Sequence, residues 1–299
     1  MIAFRGVGHT YRPLLGRRVR AVDDFTLDIA AGEVVGIAGP NGAGKTTLIA
    51  TLLGFLNPSD GEVRIAGMAP RVYVERHGVS YLPELMALPT FWRVDNALRR
   101  LGVLAGVPAG ELEATVASVI DRVDLDEHRR KTIKALSKGN FQRLGLAQSL
   151  LADNRVVVFD EPTHGLDPVW SNRFRDLVGE LRRPDRVIFI ASHNLDELER
   201  LCDRVVIIDH GRMQRVVSIA TAAVAATAWL VRVSAEGERL PAHFASAEHL
   251  SDGTWLVRAV DLEALNAGLA AALAAGVRVT SVAPHESSLE HHFREAVRR

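Results

Sequence analysis

Gly39-Pro40-Asn41-Gly42-Ala43-Gly44-Lys45-Thr46-Thr47 is the stretch of this 299-residue chain whose residue types and spacing point most directly to chemistry. It fits the pattern G-x-x-x-x-G-K-[ST] in full. Glycines at this spacing let the backbone curl until successive N–H groups face one anion. A helix that starts just beyond adds unpaired N–H donors and a favourable dipole. Lys45 would reach terminal phosphates, and the Thr46 hydroxyl would hold Mg²⁺. The expected chemistry is binding of a nucleoside triphosphate. A glycine-rich turn that carries a lysine by chance is the rival reading, and the flanking sequence argues against it.

Those flanks have the right shape. Val34-Val35-Gly36-Ile37-Ala38 reads as a short buried strand, and Thr46 to Leu53 as a helix with Leu48, Leu52 and Leu53 on one side. A second chemical pair, Asp160-Glu161, closes the apolar run Val156-Val157-Val158-Phe159. Ligands gather at the carboxyl edge of such sheets. Asp160 suits Mg²⁺, directly or through water, and Glu161 could polarise an attacking water as general base. Both carboxylates would be costly if buried unpaired, and a metal with a phosphate gives them a reason to be there.

The elements around these residues predict an α/β fold. Val187–Ala191 and Val205–Ile208 are further continuous apolar runs, the sign of a parallel sheet covered on both faces. Before them, Ile2-Ala3-Phe4, Phe25–Ile29 and Glu62–Ile65 alternate as strands of an N-terminal β subdomain, with Pro13 and Gly16 in an Arg-rich loop. From about Pro89 to Ala135 the pattern turns helical, with Leu112, Val116, Val119, Ile120 and Val123 at three- and four-residue steps. A helix is expected over Asn140–Ala152. Past about Gln214 a small α+β unit is expected: strands at Trp229–Val233, Thr254–Arg258 and Val277–Thr280, and a helix carrying Leu262, Leu265, Leu269 and Leu273. The last helix should open at Ser287, with Glu290 completing a capping box. The domains therefore run 1–214, with a helical subdomain at about 85–135, and 215–299.

Bulk properties exclude several classes. Hydrophobic residues at 47% and charged residues at 24% are ordinary for a globular protein. Lys+Arg and Asp+Glu are equal at 36 each, so no overall basic field recruits nucleic acid, and Arg17, Arg18 and Arg20 read as a solvated loop. Cys202 is read as a small core residue. Arg5 and Arg12 interrupt any N-terminal apolar run, so no signal peptide is expected. Val216–Val231 is uncharged but Ala/Thr-rich and shorter than the ~20 residues of a membrane span. It is read as a helix leading into a strand. His285, His291 and His292 are read as part of a solvated helix, since adjacent helical histidines diverge.

Taken in order along residues 2 to 212, these motifs resemble those of ABC-type ATPases, the nucleotide-binding subunits of ATP-binding cassette transporters. Leu136-Ser137-Lys138-Gly139-Asn140 resembles the family's signature motif, Gly165-Leu166-Asp167-Pro168 its D-loop, and Ala191-Ser192-His193 its H-loop. Tyr11 sits where the family stacks an aromatic on adenine. The resemblance implies that His193 contacts the γ-phosphate and holds the water in line. It also implies that Ser137 and Gly139 of the signature motif complete the site of a second copy, giving a head-to-tail homodimer with ATP and Mg²⁺ sandwiched between protomers, and that Asp167 of the D-loop is a nucleotide-binding residue. An integral membrane permease would be a separate polypeptide, with this chain peripheral at the cytoplasmic face.

Two departures mark a branch. Glu84, in Tyr81-Leu82-Pro83-Glu84, stands where the family usually has the Q-loop glutamine, and a carboxylate can hold Mg²⁺ or water but cannot donate when ionised. Lys138 and Asn140 replace the usual glycine and glutamine. Both changes are similar to the exporter branch of drug, polyketide and polysaccharide carriers and copper-site maturation ATPases, as is the closing Ser288-Leu289-Glu290-His291-His292-Phe293. The expected function is an ATPase driving an exporter. The alternative is a non-transport ABC-type ATPase acting as an ATP-driven dimer. A GTPase is disfavoured, because no Asn-Lys-x-Asp segment is present.

Overall fold

Alternating burial builds the first sheet. Strands β1 (Ile2–Tyr11) and β2 (Val19–Ile29) pair antiparallel, with Ile2 opposite Ile29 and Phe4 opposite Leu27. Phe4 and Phe25 meet edge to face with ring centroids 5.3 Å apart. The chain then enters β3 (Val34–Ala38), whose residues are all buried, and helix α1 (Lys45–Leu52). Next, β4 (Asp60–Ile65) adds to the free edge of β1, with Val63 opposite Phe4. The computed structural model describes residues 1–12, 17–219, 228–234, 237–251, 253–284 and 288–297. Two compact units result, Met1–Gln214 and Arg215–Arg299.

Helix α2 (Pro70–His77) leads to the short strand β5 (Ser80–Leu82). The helical insertion follows as α3 (Val94–Leu104) and α4 (Leu112–Arg122), then two 3-10 turns, Asp126–His128 and Ile133–Ala135. Val94, Ala97 and Leu98 of α3 and Val116, Val119 and Ile120 of α4 are buried, and Arg99 clasps Glu113 at 2.6 Å across the pair. Helix α5 (Lys138–Ser149) packs on both. It starts two residues before the expected Asn140 because the Ser137 hydroxyl caps it, accepting from the Asn140 N–H at 3.2 Å.

Strands β6 (Val156–Asp160) and β7 (Val187–Ser192) flank helix α6 (Pro168–Leu181) in sequence. Helix α7 (Leu195–Leu201), strand β8 (Arg204–Asp209) and strand β9 (Arg212–Ser218) complete the second sheet, in the order β5-β6-β7-β3-β8-β9. The apolar runs pair parallel, β6 with β7 and β7 with β3. Cys202 lies in this core: a Cβ on Gly36 would stand 2.9 Å from its sulfur, and burial pushes its thiol up. β9 was not expected. His210 and Gly211, both with positive φ (46° and 78°), form the two-residue turn that returns the chain beside β8.

In the second unit, β10 (Ala228–Val233), β11 (Ser246–Ser251), β12 (Thr254–Arg258) and β13 (Val279–Pro284) form a sheet of order β11-β12-β10-β13. Helix α8 (Leu262–Ala274) is capped by Asp261 and buries Leu265. Helix α9 (Ser288–Val297) ends the described chain. Two expectations need correction, and one strand is additional. Val277 is a buried core residue ahead of β13, which starts later than expected. Strand β11 escaped notice because its Glu248 and Leu250 are exposed on an edge that carries no alternating pattern. Of the supposed helix after Val216, Val216 to Ser218 belong to β9, while 220–227 lie outside the described residues, as do His285 and Ser287. Among the described residues no helix is long and apolar enough to cross a membrane.

Candidate functional site

Parallel pairing brings the chemical residues to one edge. Ala38 is opposite Ser192 and Asp160 is opposite Ala191, so β3, β6 and β7 end side by side. Asp160 closes β6, and the loop 39–44, Glu161 and His193 are the next residues out of these three strands. Apolar runs thus fix the strands, and strand polarity delivers the polar residues together.

The loop's glycines are not equivalent. Gly44, with φ +108°, caps α1, and a Cβ there would stand 2.4 Å from the Ala21 carbonyl oxygen. A Cβ on Gly39 would meet the Ile208 carbonyl at 2.5 Å, whereas Gly42 (φ +83°) faces open space. Among the described residues no side chain caps α1, and its own first turn carries no acid, which leaves its terminal N–H groups to an incoming anion. Lys45 is buried and donates to the carbonyl oxygens of Gly39 (2.7 Å) and Pro40 (3.3 Å). Its ammonium lies 4.0 Å from Glu161 Oε1. Tyr11, 42% exposed, places its hydroxyl 3.3 Å from the Thr47 hydroxyl.

Asp160 is 1% exposed, and neither carboxylate oxygen meets a hydrogen-bond partner among the described residues. Burial, then the negative charges of Glu84 and Glu161, push its pKa up to about 7, against a weaker pull from Lys45 and the nearby Thr46 hydroxyl. Thr46 stands near enough to favour the charged form without a bond of normal geometry. Two buried, orphaned oxygens beside a hydroxyl are hard oxygen donors, which fits Mg²⁺. Among the described residues no three His, Cys, Asp or Glu side chains are gathered tightly enough to hold a metal by themselves, so phosphate oxygens would complete its shell. Glu84 itself is exposed and ends the segment after β5. Its neighbour Tyr81 is raised to about 12, chiefly by burial, then by Asp160 and Glu84.

Glu161 occupies a tight turn with φ +49°, unusual for a residue with a side chain. Its N–H donates to the Ala191 carbonyl at 2.8 Å. Its carboxylate accepts from the His193 N–H (3.1 Å), and His193 Nδ1 lies 2.7 Å from Oε2. An ionised carboxylate only accepts, so Nδ1 carries the hydrogen. The His193 side chain is 64% exposed and Glu161 only 8%. The pair therefore joins a buried carboxylate to a ring that opens on solvent.

The signature residues attach to the turn that follows Glu161. Gln142 Nε2 donates to the carbonyl oxygens of Glu161 (3.3 Å) and Pro162 (2.8 Å). Gly139 approaches the Gly165 carbonyl so closely that a Cβ would stand 3.1 Å from it. Ser137 and Asp167 both cap helices, Asp167 accepting from the Trp170 N–H at 3.0 Å at the start of α6. Sequence reasoning missed Gln142 and also Glu197, a largely buried carboxyl that accepts from Thr163 Oγ1 (2.9 Å) and Ser192 Oγ (3.1 Å). Asn194-Leu195-Asp196-Glu197 has the spacing of a capping box, which would have drawn attention to Glu197 but to the wrong contact.

A family model for ABC transporters matches residues 22–164. Over 199 residues the chain is 35% identical to the ABC transporter ATP-binding protein NatA of Bacillus subtilis (strain 168), covering 65% of this chain and 80% of that protein. The uncharacterized ABC transporter ATP-binding protein YdbJ of the same organism is 31% identical over 278 residues, 91% of this chain and 89% of that one. The Nod factor export ATP-binding protein I of Mesorhizobium japonicum is 31% identical over 213 residues, 71% of this chain and 61% of that one. In fold, the chain matches a dimeric ATP-binding cassette, MJ0796 in a post-hydrolysis state bound to ADP and Pi, with TM-score 0.68 at 19% identity over 73% of this chain and 99% of that one. The α/β architecture is that of such cassettes, with a parallel sheet, an antiparallel sheet and the helices α3 and α4 between β5 and β6. The chain belongs to the ABC transporter ATP-binding proteins and is a nucleotide-binding ATPase subunit of that family.

Proposed function

We propose that this ATPase powers a separate integral membrane permease from the cytoplasmic face, in the export direction, as a homodimer that closes head to tail on ATP. The observation that carries the catalytic half is the cluster at the ends of β3, β6 and β7, where Lys45, Asp160, Glu161 and His193 meet. Lys45 and the N–H groups from Asn41 to Thr47 take the phosphates. Glu161 accepts a proton from the attacking water, held in place by His193. Thr46, Asp160 and Glu84 would hold Mg²⁺, which when bound offsets charge on the phosphates. Tyr11 stacks on adenine, and its partial exposure beside Thr47 supports that place.

The dimer is supported by residues that have no nucleotide role within their own loop. Ser137 and Gly139, at the start of α5, and Asp167, at the start of α6, present exposed or half-buried helix N-termini that suit a second copy's γ-phosphate. ATP is then a ligand of the closed state, and hydrolysis releases it. Large apolar side chains support a docked permease: Phe55, Leu85 and Phe91 are 67%, 84% and 77% exposed. Phe55 rings against Tyr81 at 6.2 Å, and Tyr81 leads within the same segment to Glu84 and Leu85. A partner seated there would sense the Glu84 carboxylate. The export direction rests on similarity to the Nod factor export protein.

Glu161→Gln should bind ATP while its hydrolysis falls by about 10²–10⁴-fold, the usual worth of a general base. Purified from native membranes with ATP and Mg²⁺, this variant should bring a multi-span protein with it, and Lys45→Ala should not. Recovery from the soluble fraction alone, under every nucleotide, would overturn the transport role and leave an ATP-driven dimer.

A further inference from the structure

Glu197 is a half-buried residue to whose carboxyl the roles proposed above assign no task. One of its oxygens, Oε2, accepts from Thr163 Oγ1 at 2.9 Å and from Ser192 Oγ at 3.1 Å. The other, Oε1, is buried with no hydrogen-bond partner among the described residues. A half-satisfied buried carboxyl is a poor device for folding stability, since an apolar side chain of that size would avoid the desolvation. Its two hydroxyl partners lie on the two segments that must be held in register. Thr163 is two residues beyond Glu161, and Ser192 immediately precedes His193. The Ser192 hydroxyl also accepts from the Asn194 N–H at 3.1 Å and stands 3.4 Å from Glu161 Oε2.

We infer that Glu197 is a positioning residue for ATP hydrolysis, one carboxylate oxygen pinning the turn of Glu161 to the loop of His193. The pin compensates for a strained backbone, because Glu161 holds φ +49° and needs its surroundings to keep it there. Asn194 sets the height of Glu197 by capping α7, its side chain accepting from the Glu197 N–H at 3.2 Å. Around the carboxyl, α6 contributes Arg175 and α7 contributes Asp196 and Arg200, which line a cavity of about 120 Å³ together with Glu197 itself. Among the described residues the Glu197 carboxylate accepts hydrogen bonds from the hydroxyls of Thr163 and Ser192, and it acts through them.

The inference rests on the reading of Glu161 and His193 given above, and the test separates the two. Five purified full-length variants are compared with wild type for kcat, ATP affinity and thermal stability: Glu197→Ala, Glu197→Gln, the double variant Thr163→Val/Ser192→Ala, the triple variant that adds Glu197→Ala to it, and Glu161→Gln. In Glu197→Ala, kcat should fall at least tenfold with ATP affinity within twofold of wild type and no loss of thermal stability. Glu197→Gln keeps one acceptor oxygen for both hydroxyls and should recover to within threefold of wild type. The double variant should match Glu197→Ala, and adding Glu197→Ala to it should cost nothing more. It also gives the same reading should Glu197→Ala fail to fold. The pin is overturned if kcat in Glu197→Ala stays within twofold of wild type, if ATP affinity falls as much as kcat, or if Glu197→Gln is no better than the alanine. Wild-type hydrolysis by Glu161→Gln would instead overturn the reading of the site itself.

Discussion

The Lys138 ammonium lies 2.8 Å from Nε2 of His164, and its side chain runs along Gly165 where a Cβ would stand 2.8 to 2.9 Å from it. An ammonium only donates, so His164 accepts through an unprotonated Nε2. The lysine that departs from the usual signature sequence is therefore not a loose charge. It ties the first turn of α5 to the loop between Glu161 and α6, and both segments are proposed to face the second copy.

Removing that tie should alter rate more than stability. Lys138→Ala and His164→Ala each delete an exposed contact, so unfolding free energy should stay within about 0.5 kcal/mol of wild type. Hydrolysis should slow by about three- to tenfold, up to the ~1.4 kcal/mol that a charge-assisted hydrogen bond can hold. The double variant should be no slower than the slower single, because both remove the same bond. Steady-state ATPase rates with urea denaturation check both halves.

Loop glycines separate by geometry where the motif treats them alike. Gly44→Ala places a Cβ 2.4 Å from the Ala21 carbonyl oxygen at φ +108°, so the loop must move and ATP binding should be lost. Gly42→Ala meets nothing within 4 Å and carries only the strain of a positive φ, about 1–2 kcal/mol. Its ATP affinity should fall less than tenfold by equilibrium titration. Equal losses in the two would mean that the loop rearranges on binding.

What was legible in the sequence follows from which signals are local. Continuous apolar runs such as Val156–Phe159 announce buried parallel strands because burial on both faces needs no polar alternation. The phosphate loop is legible for the same reason, being one continuous segment. Strand β11 is not, since an exposed edge strand built from Ser246, Glu248 and His249 needs only backbone pairing to β12. The contacts of the site are tertiary. That Glu161 and His193 end neighbouring strands could be guessed, but not that Nδ1 faces the carboxylate across 32 residues of sequence. Glu197 and the Lys138–His164 bond are silent for that reason: each joins segments whose distance only the folded sheet sets.

Asp160 gives the sharpest test of what the site exchanges for function. Its ordinary pKa of 3.8 rises to about 7 in the folded chain, chiefly through burial. Between those values the folded state keeps a proton that the unfolded state has lost, so this group's contribution to stability falls as pH rises from about 4 to 7 and is level above. The full shift is worth up to ~4 kcal/mol. Asp160→Asn removes the titration, and about half of that should return, since the amide also lacks partners. The nucleotide-free variant should therefore exceed wild type by about 2 kcal/mol at pH 8 and fall below it by about 2 kcal/mol near pH 4, where the neutral carboxyl of wild type carries no ionisation cost, read by urea denaturation. Its ATPase activity should be lost. ATP with Mg²⁺ should stabilise wild type strongly at pH 8, where the carboxylate is charged, and the stabilisation should weaken as pH falls below 7 or when EDTA removes the metal. An Asp160→Asn variant less stable than wild type at pH 8 would mean that the carboxylate finds partners in the nucleotide-free protein and is not held for a metal.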